Sequence, residues 1–163
     1  MSPRAEFIGS SLLVATVLTV GVALLLGAER QAGMRDVASA LRIAPAALLS
    51  AGMGAWFATR WHARALSTGR HWKAGGMTLR TLLLVFLLFP VALVVWALVA
   101  LAIDQLAAAS PGNPRETLAW LPVIIFYGSL AALVFGAAPA FILEYFACRR
   151  YLRRQAVPST DHA

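Results

Sequence analysis

Charge is scarce in this chain, and what there is leans one way. Charged residues make up 13% of the 163 positions, about half the share of an ordinary soluble domain. Seven acids face fourteen Lys and Arg, for a net charge of +7, and Lys73 is the single lysine among them. One cysteine, Cys148, excludes an internal disulfide. It precedes Arg149 and Arg150 and reads as an ordinary free thiol. Before the tail there are only two histidines, His62 and His71, with no Cys, Asp or Glu beside them, so no metal-ligand spacing exists there. They stand in a basic connection remote from any Ser/Asp pair, which excludes a Ser-His-Asp triad. No carboxylate falls in the middle of a long apolar run, which argues against proton-coupled transport through a central acid. Neither a catalytic nor a cofactor-binding signature is present, and no cofactor is expected.

Long apolar runs fill the space that charge leaves. Hydrophobic residues account for 60% of the chain, and the mean hydropathy is +0.74. Four runs, residues 7–27, 43–59, 81–103 and 119–143, approach or exceed the roughly 20 residues that a helix needs to cross a hydrocarbon core about 30 Å thick. The composition predicts an all-α, polytopic four-helix membrane bundle with short loops. Residues 1–156 form one domain, with the last helix continuing to about residue 154, and 157–163 form a polar tail. The first run exceeds the 7–15 apolar residues of a cleavable signal and reads as a retained anchor.

Placement of the cations then sets orientation. With four crossings, Arg4, Arg60, Arg64, Arg70, Lys73, Arg80, Arg149, Arg150, Arg153 and Arg154 share one face. Arg30, Arg35, Arg42 and Arg115 share the other, matched by Glu29, Asp36, Asp104 and Glu116. Lys and Arg are retained on the cytoplasmic side, so both termini are expected inside, in a bacterial inner membrane. The same placement assigns the basicity to topology instead of nucleic acid. Two patches stand out: the connection bearing Arg60, Trp61, Arg64, Arg70, Trp72, Lys73 and Arg80, and the segment from Arg149 to Arg154. Both are expected to meet anionic headgroups, at about 1 kcal/mol per cation near the surface, or an acidic partner. Trp56, Trp61, Trp120, Tyr145 and Tyr151 read as interfacial belts.

Small residues four apart mark helix-packing faces. The first run carries Ser11, Ala15, Thr19, Ala23 and Gly27, and the fourth carries Gly128, Ala132, Gly136 and Ala140. The second carries Ala46, Ser50, Gly54 and Ala58, in a segment so rich in small residues that chance accounts for the pattern. The third run is bulky, so helices one, two and four are expected to form the tight core while helix three faces lipid or a partner. Gly136 with Pro139 is the candidate hinge. Arg42, Asp104 and Glu144 are the candidate polar site: Arg42 pairing with Asp36 or Asp104, Glu144 with nearby arginines.

These features favour a non-catalytic protein that works by helix–helix interaction with a protein partner, as an accessory subunit or an immunity-type protein against a membrane-acting toxin. An oligomeric transporter or channel using Thr16, Ser129 and Tyr127 is the alternative. A lipid-modifying enzyme built on Arg42, Asp104, Arg115 and Glu116 ranks third.

Overall fold

A computed structural model describes residues 2–29, 42–107 and 113–156 of the chain. The first loop with Arg30, Arg35 and Asp36, the turn through residues 108–112 and the tail 157–163 lie outside the described residues. Those described are all-helical, in four elements: α1 (Pro3–Glu29), α2 (Ala44–Ser67), α3 (Ala74–Ala107) and α4 (Pro114–Ala156). Three of them, α1, α3 and α4, are long and apolar enough to cross a membrane. Helix α2, rich in Ala, Gly and Ser and ending in Arg60, His62 and Arg64, falls short of that hydropathy.

Each helix outruns the apolar stretch that announced it, because capping chemistry rather than hydropathy ends a helix. Ser2 accepts from the Ala5 amide at 3.3 Å and Pro3 opens the first turn of α1, a pairing that satisfies one orphan donor and needs none from proline. Asn113 does the same for α4, its Oδ1 accepting from the Arg115 amide at 3.1 Å ahead of Pro114. Helix α2 continues two turns past residue 59 because Trp61 to Ser67 contains nothing that breaks it. It stops at Gly69, whose φ of +72° suits a residue without Cβ. There the Gly69 amide donates to Leu66 O at 3.0 Å and the Arg70 amide to Ala65 O at 2.9 Å, the two bonds of a Schellman stop. The expected long connection over residues 60–80 thus shrinks to residues 68–73. Helices α3 and α4 stay continuous through Pro90, Pro122 and Pro139. At 34 and 43 residues they extend to about 51 and 65 Å, well beyond a hydrocarbon core.

The helices form a ring in chain order. Helix α1 packs on α2 and α4, α3 packs on α2 and α4, and the diagonal pairs barely touch. The broadest contact is α2 with α3. This corrects the expectation that helix three stands outside a core of the other three. The reason is complementary size: the ladder Ala46, Ser50, Gly54 and Ala58, discounted in the sequence, is wholly buried, and the bulky side chains of α3 fill it. A Cβ on Gly54 would lie 2.5 Å from Val85 Cγ2 and 3.2 Å from the Val85 amide nitrogen, so the two backbones are in near contact. Phe89, Ala92 and Leu93 close against Ala46 one turn and more beyond. On α3, Leu79, Leu83, Leu87, Val91 and Val95 are exposed, and so are Leu98, Val99, Ile103 and Leu106 toward its far end.

The helix-one ladder is used in part. Ser11 and Ala23 are buried, Ala15 and Thr19 half-buried, and Gly27 lies in α1 where side-chain surroundings are not described. On α4, Ala140 is buried, Ala132 packs on the Phe89–Leu93 cluster, and a Cβ on Gly128 would sit 3.5 Å from Leu93 Cδ1. Gly136 faces open space. Gly54→Ala is therefore expected to lower the melting temperature and folded yield sharply, since the new methyl would meet Val85 Cγ2 with the Val85 backbone tight behind it. Gly136→Ala should be neutral or gain up to about 1 kcal/mol from helix propensity. Equal behaviour of the two variants in a thermal-melt assay would contradict the close α2–α3 approach.

Candidate functional site

Most of the ionisable side chains among the described residues converge at one end of the bundle. There the start of α1, the end of α2, the start of α3 and the end of α4 meet around Phe7, Ala55, Met77, Cys148 and Tyr151. Antiparallel neighbours joined by a short α2–α3 turn bring these four ends together. The same geometry gathers all ten cations of the sequence's majority face at this end.

Helix periodicity explains the interior. Glu144, Cys148 and Tyr151 share one face of α4 at i, i+4, i+7, and Phe7 and Ser11 share one face of α1. Ser11 Oγ donates to Glu144 Oε1 at 2.8 Å, and Glu144 is only 3% exposed. Most other buried or half-buried hydroxyls turn back on their own helix: Thr78 to Ala74 O at 2.9 Å, Thr81 to Met77 O at 3.0 Å, Thr59 to Trp56 O at 2.8 Å. Such bonds satisfy the hydroxyl locally. The Ser11–Glu144 bond instead crosses between helices, tying α1 to α4 in the interior. Cys148 is fully buried one turn from Glu144, not at the surface beside the arginines as its neighbours in sequence implied.

The arginines choose a different carboxylate. Arg150 lies 2.8 Å from Glu6, and Arg154 pairs with the other oxygen of the same carboxylate. Glu144, the expected partner, is covered by Ser11 instead. Sequence neighbourhood within α4 suggested the pair; the register of α1 against α4 decides it, and Glu6 went unnoticed because only tertiary packing brings it there. Arg149 and Arg153 point outward, as do Arg64, Arg70 and Lys73. Arg80 stacks over Trp72 at 4.1 Å and Arg60 over Trp56 at 5.2 Å, geometry that holds a guanidinium against an aromatic face. Trp61 is exposed and Trp72 half-buried.

His62 was expected in a loop and is instead an interior residue of α2, 2% exposed. Its ring lies 5.3 Å from that of Trp72 and 5.8 Å from that of Tyr151. Tyr151, read from sequence as an interfacial anchor, is buried against Phe7 at 5.1 Å and accepts from Gln155 Nε2 at 2.8 Å. Burial lowers the His62 pKa below 6.5, and the nearby His71 charge lowers it further. Its Nδ1 has no protein partner among the described residues.

At the opposite end, Arg42 and Asp104 are exposed, and no ion pair joins them among the described residues. The Arg42 carbonyl accepts from Trp96 Nε1 at 2.6 Å, so this position anchors α2 to α3 through its backbone. Arg115 and Glu116 are exposed in the first turn of α4. Among the described residues no three His, Cys, Asp or Glu side chains group as metal ligands.

The neutral state of His62 has a consequence for stability. A histidine with a depressed folded pKa leaves the unfolded chain binding more protons as pH falls below about 6.5, so stability present above that value is lost on acidification. Melting of the wild type between about pH 7.5 and pH 5.5 should show this loss, with a shallower slope for His62→Gln. Identical slopes would remove His62 as the cause.

No family model matches this chain, and no curated protein or solved structure matches it significantly either.

Proposed function

We propose that this chain is a small, non-catalytic protein of a bacterial inner membrane that crosses the bilayer four times, both termini inside, and acts by helix–helix interaction with a protein partner. The observation carrying this reading is the division of labour on α3. Its inner faces are consumed by α2 and α4, while Leu79, Leu83, Leu87, Val91 and Val95 form a continuous exposed stripe at four-residue spacing. A branched-aliphatic ridge winding along a helix that both neighbours hold in place is a surface that another helix can match by side-chain packing.

The filled axis of the bundle supports interaction over passage. One cluster, Phe7 with Ala55, Met77, Cys148 and Tyr151, closes the basic end, and Ala46 with Phe89, Ala92 and Leu93 closes the middle. Of the three hydroxyls a transport path would use, Thr16 donates to its own Leu12 carbonyl at 2.9 Å, Tyr127 is exposed on the outside of α4, and Ser129 Oγ is buried without a hydrogen-bond partner among the described residues. The modest hydropathy of α2 is compatible with a crossing because its small-residue face and its last two turns are sheltered by or beyond the apolar helices.

A photo-crosslinking side chain at Leu87 should capture one defined protein in the native membrane, and the same group at Phe135, exposed on α4, should not. Capture of a second copy of this chain from both positions, with no other protein, would contradict the reading in favour of a homo-oligomer and its transport activity.

A further inference from the structure

Between α1 and α4, at the basic end, lies a groove of about 470 Å³, within the range of roughly 300–1,000 Å³ typical of ligand clefts. Its mouth and floor differ in chemistry. Glu6, Arg150 and Arg154 stand at the mouth; Leu13, Val14, Leu143, Phe146 and Ala147 line the floor. From Glu6 to Leu13 the helix rises about 10 Å, so a polar end and an apolar end are separated along the direction of the helix axes.

We propose that this groove binds one anionic phospholipid of the surrounding membrane, its phosphate on Arg150 and Arg154 and the upper part of one acyl chain along Leu13, Val14, Leu143 and Phe146. The inference rests on the membrane reading above and gives the basic patch of α4 a specific ligand. Charge complementarity argues for this occupant. Arg149 and Arg153 form an adjoining concavity with Phe146 and the other two arginines, so one carboxylate is set against a cluster of four cations and the mouth remains cationic. Glu6 does not exhaust its partners. Each guanidinium carries five donors in a planar fork, and the bridge to Glu6 fixes Arg150 and Arg154 toward the groove with donors to spare for a phosphate. Phosphate recognition by such forks is strong and directional.

The floor provides the second half of the match. Leu13 and Phe146 are exposed although they line a concave surface, which is the state of side chains awaiting an apolar ligand. Gly9 lies between mouth and floor, and a Cβ there would meet no atom within 4 Å. A large side chain at this point would occupy the groove without displacing the protein's own packing.

The test is native mass spectrometry of the full chain in neutral detergent with equimolar phosphatidylglycerol and phosphatidylcholine. The wild type should retain one phosphatidylglycerol in preference to phosphatidylcholine. Each cation near an anionic headgroup is worth about fivefold in affinity, so Arg150→Gln with Arg154→Gln should weaken retention about thirtyfold. Gly9→Phe should abolish the preference with every charge intact, and Arg115→Gln, exposed at the opposite end of the bundle, should keep it. Circular dichroism checks the fold of each variant; should the double glutamine variant fail to fold, Gly9→Phe carries the decision. Equal retention of both lipids by the wild type, or wild-type retention by Gly9→Phe, overturns the proposal. Displacement of the lipid by excess inorganic phosphate overturns it as well, because free phosphate would then be the ligand. Alkaline carbonate extraction separates the two levels of failure. A chain released from membranes loses the membrane reading and the lipid together; a chain retained but indifferent to headgroup charge loses only the lipid site.

Discussion

The near contact of α2 and α3 at Gly54 and Val85 is the constraint on which the rest of the bundle depends. A Cβ at position 54 would run into Val85 Cγ2 and press on the Val85 backbone, and this approach sets the register of α3 against the small face of α2. From that register follow the burial of Met77, Thr78 and Thr81 at one end and the seating of Phe89 and Leu93 on Ala46 midway along α3. Where lipid tails solvate leucine as well as protein does, the gain from such packing comes from dispersion summed over many close atom pairs, not from apolar area removed from water. A small face and a bulky face then attract each other more than two small faces do. Small ladders on their own do not identify which helices pair.

The second consequence concerns charge. Because the four helix ends meet around Phe7, Cys148 and Tyr151, cations from three separate stretches of sequence occupy one end of the molecule. Two of them clamp Glu6, two stack on Trp56 and Trp72, and the remainder face outward. Beneath this layer lie polar groups of a different kind: Glu144 under Ser11, and His62 walled by Trp72 and Tyr151. The interior is therefore held by a few specific contacts near one end, while the opposite end is joined by the Trp96–Arg42 backbone bond and aliphatic packing.

Hydropathy made the existence of four helices and the all-helical class legible in the sequence. It did not reveal their ends, since an apolar run reports where lipid-compatible residues stop and Asn113, Ser2 and Gly69 report where hydrogen bonding stops. The stop at Thr68-Gly69 was readable as turn chemistry but lay inside a stretch that its charges marked as loop. Local pattern also indicated Ser11, Ala23 and Ala140 as packing positions. What it missed required a partner from another helix: Glu6 for the arginines, Ser11 for Glu144, and the aromatic enclosure of His62. Spacing alone placed Glu144, Cys148 and Tyr151 on one face of α4, yet the basic residues interleaved with them pointed to the interface instead of the interior.

The gathering of ten cations at one end is the feature on which the proposed orientation, lipid contact and partner access rest. Its most direct test is the accessibility of single cysteines to an impermeant thiol reagent in intact bacterial spheroplasts. Thr68→Cys sits in the α2–α3 turn at the basic end and Asn113→Cys at the opposite end; native Cys148 is fully buried and gives the background. With the basic end inside, Asn113→Cys labels in intact spheroplasts and Thr68→Cys labels only after permeabilisation. Labelling of Thr68→Cys in intact spheroplasts, or of both positions alike, would contradict that orientation.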